Sequence, residues 1–240
     1  MNQALWFEEL KYRQNPFSIK PQSSTQLLGR DFTITQILNA VRDGQFIVVE
    51  GDFGSGKTTL LKKIIAKFGG LRKIAYLSCN RLTGPLDINR LLYNRFGAFT
   101  RVLRVRSKQM VLLLDEAQYL SEQDIRNLRQ YHQDGYLRSV VFVTHNKREL
   151  NLPSSVMMAL KQTTFSLREL SEDDAVALVR ARIGEHPLMT DLIIERIYSR
   201  DTRIRSFLKN CETFMRHMLA QKRKVAKESD VDKILNEFKF

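Results

Sequence analysis

The chain has 240 residues, 43% of them hydrophobic, and a formal net charge of +13 with a pI near 9.9. That length suits one large α/β domain or a core with a small second domain, and the apolar content is ample for a packed interior. No uninterrupted apolar run exceeds that of residues 110–114, far short of a bilayer span. Cys79 and Cys211 stand far apart, without the spacing of a zinc site or a disulfide framework, and His132, His145, His186 and His217 are scattered. With Glu8 and Glu9 early and no apolar run, the N-terminus does not read as a signal peptide, and the expected setting is a reducing cytoplasm. The positive balance favours polyanionic partners, because phosphate contacts release counterions; a solvated basic surface is the alternative.

Residues 1–30 open with an amphipathic segment (Leu5-Trp6-Phe7, Leu10, Tyr12) that breaks at Asn15-Pro16-Phe17, and Pro21 with Ser23-Ser24 continues as a loop. Asp31 is expected to cap a helix carrying Ile34, Ile37, Leu38 and Val41 on one side, ended by Asp43-Gly44. A first strand over 45–50 leads into Gly51-Asp52-Phe53-Gly54-Ser55-Gly56-Lys57-Thr58, followed by Thr59 and a helix with Leu60, Leu61, Ile64 and Ile65 at helical spacing. A second strand is predicted over 73–78, a short helix from Asp87 to Phe96, and a buried strand over 111–116 ending in Asp115-Glu116. A polar helix over 121–132 carries the capping-box residues Ser121 and Asp124, a fourth strand spans 140–143 and a weaker fifth spans 163–167. From Leu170 the pattern is helical alone. One helix is capped by Ser171 and Asp174, another starts at Pro187, a third spans 203–221 and a fourth 230–238. Alternating strands and helices followed by helices only predict a parallel α/β core over 31–168, then an all-helical domain over 169–240.

The stretch at 51–58 fits G-x-x-x-x-G-K-[ST] at each fixed position and sits in the strand–loop–helix context that the motif needs. Its glycines allow successive N–H groups to face a phosphate, and the helix that follows adds the positive end of its dipole. Lys57 would reach the β- and γ-phosphates, and the Thr58 hydroxyl would serve Mg²⁺. Asp115, at the end of an apolar strand, suits a Mg²⁺ water shell, and Glu116 beside it can polarise an attacking water. Asn146 after the fourth strand, with Thr144 as the alternative, could touch the γ-phosphate or align the water; either could equally be a turn former. Arg203 or Arg205, opening a helix of the last domain, could reach the phosphates or belong to a solvated basic face.

Between Asp87 and Asp115 there is no acidic residue, while Arg90, Arg95, Arg101, Arg104, Arg106 and Lys108 interleave with Tyr93, Phe96 and Phe99. This segment is the first nucleic-acid candidate, with Arg95, Arg101, Arg104, Arg106 and Lys108 as contacts. The basic run from Arg216 to Lys227 is the second. Neither contains a base-reading module, so the expected binding is to the DNA backbone with low sequence preference.

With these motifs in place the chain resembles an AAA+ ATPase over nearly its whole length. The likeness rests on the loop at 51–58, Asp115-Glu116, the strand end Val140-Val141-Phe142-Val143-Thr144-His145-Asn146 and the entry Leu167-Arg168-Glu169-Leu170-Ser171 to a helical lid. It is similar to origin-recognition initiator ATPases, to secretion-pathway A-type ATPases and to ATPases that regulate transposition. The resemblance implies a five-stranded parallel P-loop core with a small helical lid. It also implies slow, partner-stimulated hydrolysis of ATP with Mg²⁺, and assembly as a homo-oligomer or with a partner protein in the ATP state. Asn15-Pro16-Phe17 and Leu28-Gly29-Arg30-Asp31 resemble the adenine-side boxes, which implies that Phe17, Gly29 and Arg30 lie near the base. Asn146 would be the first sensor and Arg203, less so Arg205, the second. The implied role is ATP-controlled assembly and action on DNA, in replication initiation, transposition or mobile-element maintenance; the alternative is switching or remodelling of a protein partner. Two departures stand out. The stretch Leu160-Lys161-Gln162-Thr163-Thr164 has no arginine where a finger is usual, leaving Arg148 or Arg138 to serve, and the winged-helix reader of initiators is not present before Phe240.

Overall fold

The computed structural model describes residues 6–19, 30–68, 73–93, 108–160 and 163–237. These form two compact units, an α/β unit over residues 30–168 and a helical unit made of residues 6–19 and 169–237.

In the α/β unit the elements run α2 (Asp31–Arg42), β1 (Phe46–Glu50), α3 (Lys57–Lys67), β2 (Ile74–Ser78), α4 (Ile88–Tyr93), β3 (Met110–Asp115), α5 (Glu122–Gln133), β4 (Leu137–Thr144), α6 (Ser154–Ala159) and β5 (Thr164–Ser166), where α1 is the helix Trp6–Glu9 of the other unit. The five strands are all parallel, in the order β2-β3-β4-β1-β5. Such a sheet is covered on both faces, so its strands read as continuous apolar runs, and β3 is buried at every position. Successive side chains leave opposite faces. Val48, Leu112, Leu114, Val140 and Phe142 share a core with Ile125 and Leu128 of α5. Ile47, Val49, Leu113, Val141 and Val143 are equally buried, and α2 packs on β1 and β4.

The capping box of α5 forms as expected: Asp124 N donates to Ser121 Oγ at 3.1 Å, and Ser121 N donates to the Asp124 carboxylate at 3.0 Å. The other Asp124 oxygen accepts from Leu86 N at 2.8 Å, which satisfies a carboxylate that is itself buried. Three sequence expectations shift, and one helix was not expected. Helix α2 starts at Asp31 with Arg30, not Asp31, in the cap position. Strand β4 begins at Leu137, because Ser139 is buried with its hydroxyl donating to Gln45 O at 2.5 Å and so does not interrupt the strand. Strand β3 stops at Asp115, since Glu116 takes left-handed dihedrals (φ 54°). Helix α6, too short for a periodic signal, begins after Pro153.

The helical unit comprises α1 and α7 (Glu172–Ile183), α8 (Asp191–Arg200), α9 (Ile204–Ala220) and α10 (Glu228–Glu237). Phe17, Ile194, Ile197, Phe207, Phe214 and Met215 are fully enclosed at its centre. The Ser171–Asp174 box opens α7 and Gly184 closes it, whereas the helix expected at Pro187 starts later, at Asp191, because Leu188 and Met189 form a buried turn before it. Residues 6–19 belong to this core. Asn15 Oδ1 accepts from Phe17 N at 2.9 Å, a local turn that sets the Phe17 ring parallel to Trp6 with centroids 6.1 Å apart. Tyr12 OH donates to Ile183 O at 2.9 Å, and Arg182 donates to Pro16 O at 2.9 Å.

Candidate nucleotide site

Parallel strands bring their carboxyl ends to one edge, where α/β folds place ligands. Here that edge carries the loop after β1, the acids after β3 and the residues after β4, with Glu50 paired to Thr144 and Leu114 to Phe142 in register.

The loop wraps tightly on its own backbone. Gly54 (φ 82°) and Gly56 (φ 93°) hold left-handed dihedrals that a side chain would disfavour, and Gly56 leads directly into α3. At Gly51 a Cβ would lie 2.7 Å from Ser55 Oγ and 3.1 Å from Leu167 O. The Lys57 ammonium donates to Gly51 O and, at 2.9 Å, to Asp52 O. Burial lowers the pKa of Lys57, opposed by the nearby carboxylates of Glu116, Asp115 and Asp52. Ser55 Oγ is buried without a hydrogen-bond partner, an orphan that a ligand at the loop would satisfy. Thr58 is exposed and Thr59 buried.

Asp115 is buried, accepting from Glu116 N at 3.1 Å and from Tyr76 OH at 3.3 Å. Burial first, and then the charge of Glu116, hold its carboxyl above the usual carboxylate range. Glu116 Oε2 accepts from Gln118 Nε2 at 2.7 Å, Gln118 Oε1 accepts from Thr144 Oγ1 at 3.0 Å, and His145 Nε2 stands 3.9 Å from Glu116 Oε1. The exposed Phe53 ring packs on His145 with centroids 3.6 Å apart, so the loop and the acidic end meet through the end of β4.

The structure thus brings Phe53, Lys57, Thr144, Asp115 and Glu116 to one edge, adding Gln118 and His145, whose positions depend on strand order. Asn146 is exposed and serves as a turn cap, its Oδ1 accepting from Arg148 N at 3.0 Å. Arg30 is buried in the α/β unit, its guanidinium donating to the backbone carbonyls of Ser55 and Arg168. Phe17 is buried completely in the helical unit, which leaves its ring no free face for a base. Arg203, also of the helical unit, is exposed and paired with Asp201 at 2.5 Å, which raises its pKa. Of the finger candidates, Arg148 lies in the turn after β4, whereas Arg138 sits at the opposite edge of the sheet and donates to Arg42 O. Lys108 is exposed at that opposite edge, before β3. Gly29, Arg95, Arg101, Arg104 and Arg106 lie outside the described residues. Burial pushes the Cys79 thiol up to about 12, so it offers no thiolate.

Residues 41–151 match the family model of the AAA domain. No curated protein sequence matches the chain. Among solved structures, Cdc6p from Pyrobaculum aerophilum is 18% identical with a TM-score of 0.68, covering 94% of this chain and 71% of that one. A RuvB variant from Thermotoga maritima is 17% identical with a TM-score of 0.68, covering 91% and 72%. Drosophila ORC, in a structure bound to DNA, is 17% identical with a TM-score of 0.66; the match covers 93% of this chain and 64% of that one. This is the AAA+ fold. The chain resembles the AAA+ ATPases of the origin-recognition type in fold, and among its described residues no helix is long and apolar enough to cross a membrane.

The residues at the AAA+ loop fit a Mg²⁺-nucleotide. Oxygen donors from Thr58 and Asp115 suit Mg²⁺, and a cation would offset the burial and the neighbouring Glu116 charge that raise the Asp115 pKa. Among the described residues no group of three or more His, Cys, Asp or Glu side chains is placed to bind a metal by itself.

Two outcomes follow for the protein without ligand. Because the folded carboxyl of Asp115 has a raised pKa, its contribution to stability is greatest below the unfolded pKa and is lost as pH rises through the folded one. Asp115→Asn therefore raises the melting temperature at pH 7, and the gain shrinks on acidification, as thermal melts across pH would record. Arg30→Lys loses the fork that spans the carbonyls of Ser55 and Arg168 and destabilises the α/β unit by about 1–3 kcal/mol, read from denaturant unfolding.

Proposed function

We propose that the chain binds ATP with Mg²⁺ at the loop before α3 and hydrolyses it. The observation that carries this reading is the bridge from the phosphate loop, through the end of β4, to Asp115 and Glu116. Lys57, released from Gly51 O and Asp52 O, neutralises phosphate charge, while the loop amides and the start of α3 orient the phosphates. Thr58 and Asp115 would hold Mg²⁺, which supplies charge neutralisation at the phosphates when bound. Glu116 accepts a proton from the attacking water, its free oxygen Oε1 being the one not bonded to Gln118. Arg148, exposed at the same edge of the sheet, is better placed than Arg138 to act on a neighbouring subunit's nucleotide.

Nucleotide state, in this reading, controls assembly and action on DNA. The support is the net charge of +13, the acid-free basic segment between Asp87 and Asp115, and the likeness in fold to an ORC structure bound to DNA.

Two variants test the two halves. Glu116→Gln retains ATP and loses at least about a hundredfold in turnover, measured by phosphate release against nucleotide binding. Arg101, Arg104 and Arg106 changed together to Ala abolish retention of duplex DNA at low salt and leave ATP affinity unchanged. DNA binding that persists in that variant, or is missing from the native chain, would turn the reading toward a switch acting on a protein partner.

A further inference from the structure

Gln118 is a polar side chain at this edge to which the roles of the phosphate loop, Asp115 and Glu116 do not extend. Gln118 lies in the 3-10 turn Ala117–Tyr119 that follows the acids, and it is half-buried. Its two amide atoms are both engaged, Nε2 with Glu116 Oε2 at 2.7 Å and Oε1 with Thr144 Oγ1 at 3.0 Å. Only one orientation of the amide satisfies both neighbours. A carboxylate solely accepts, so the NH₂ faces Glu116, and the carbonyl oxygen is left to take the hydroxyl proton of Thr144. Thr144 is the last residue of β4, 1% exposed, and its backbone is fixed by pairing with Glu50 of β1. The opposite side of Glu116 is bounded by His145, whose Nε2 at 3.9 Å is beyond hydrogen-bond reach.

We propose that Gln118 is a positioning residue for hydrolysis, a relay that ties Glu116 Oε2 to the end of β4 and so leaves Oε1 as the oxygen that meets water. Glu116 needs such a support. Its backbone is held in the left-handed region, and its side chain leaves from a turn, not from the rigid strand. A carboxylate on a turn samples several rotamers; one short hydrogen bond to a side chain that is itself anchored on a central strand selects among them. Because Thr144 sits in register with the residue before the phosphate loop, the relay also fixes Glu116 relative to the loop. The inference rests on the ATP hydrolysis proposed above.

The test combines a readout without nucleotide and one with it. In the nucleotide-free full chain, the side-chain amide resonances of Gln118 in a ¹⁵N-labelled sample are expected to shift on Glu116→Gln and again on Thr144→Val. With ATP, Gln118→Ala and Thr144→Val each lower kcat about tenfold or more, with nucleotide Kd within about twofold of the native value. Thr144→Ser, which keeps the hydroxyl, restores turnover relative to Thr144→Val. Gln118→Asn, one methylene short of bridging both partners, behaves like Gln118→Ala and guards against a loss caused by misfolding. If the native chain hydrolyses ATP, Glu116→Gln does not, and Gln118→Ala turns over at the native rate, the relay is wrong and the hydrolase reading stands. If the native chain is no faster than Glu116→Gln, both fall. Unmoved Gln118 resonances in both variants would refute the relay independently of any turnover.

Discussion

The site depends on one topological constraint: β4 lies between β1 and β3. The phosphate loop follows β1 and the acids follow β3, and these strands are not neighbours. A strand spacing of about 4.8 Å puts their ends roughly 10 Å apart, with one strand end between them. What occupies that end decides whether loop and acids act together. Here it is Thr144 and His145, the first bonded through Gln118 to Glu116 and the second packed against Phe53 of the loop. The intervening strand is therefore the connection, and its pairing register with β1 sets the spacing of the parts.

The same edge concentrates charge at the margin of a dry interior. Lys57 is buried and its pKa is lowered mainly by desolvation; Asp115 is buried and its pKa is raised for the same reason, with Glu116 adding repulsion. Neither is where stability alone would put a charge, since burial without full pairing disfavours the ionised form. Loop carbonyls hold the ammonium, and Tyr76 with the Glu116 amide holds the carboxylate. These contacts keep both groups in place without neutralising them. Strain adds to the cost at Glu116, whose left-handed backbone is worth about 1–2 kcal/mol against an ordinary conformation. Sites that handle phosphate commonly hold charge and strain together in this way, trading stability for readiness.

Much of this was legible in the sequence because it is local. The phosphate loop is written in contiguous residues, since the turn needs glycines at Gly54 and Gly56 and the helix must start at Lys57. The two capping boxes, at Ser121 and Ser171, are four-residue signals and form as read. Four of the five strands followed from their apolar runs, and the weaker fifth is the short Thr164–Ser166. What was not legible is the non-local part. Strand order is not a property of any one strand, so the meeting of Phe53, His145, Gln118 and Glu116 had no signal beyond the polar residues following Asp115 and Val143. Arg30 stands 25 positions from Ser55 and 138 from Arg168. Asn146 and Thr144 could not be separated by residue type; only burial shows Thr144 facing inward and Asn146 closing a turn.

Arg30 shows how such a non-local contact changes a functional argument. A resemblance places it beside an adenine base; the fold places its guanidinium on the carbonyls of Ser55 and Arg168. Ser55 is in the phosphate loop, and Arg168 is the last residue of the α/β unit, after which the chain passes into residues of the helical unit. A planar fork holding both carbonyls makes the shape of the loop and the exit of the chain one mechanical assembly. Gly51 reinforces it, since only a hydrogen at that position leaves room for both Ser55 and Leu167. Any ligand that reshapes the loop must then move, or be resisted by, the backbone at Leu167 and Arg168. The buried arginine is in that respect as much a part of the loop's architecture as Lys57, whose ammonium closes on the carbonyls of Gly51 and Asp52.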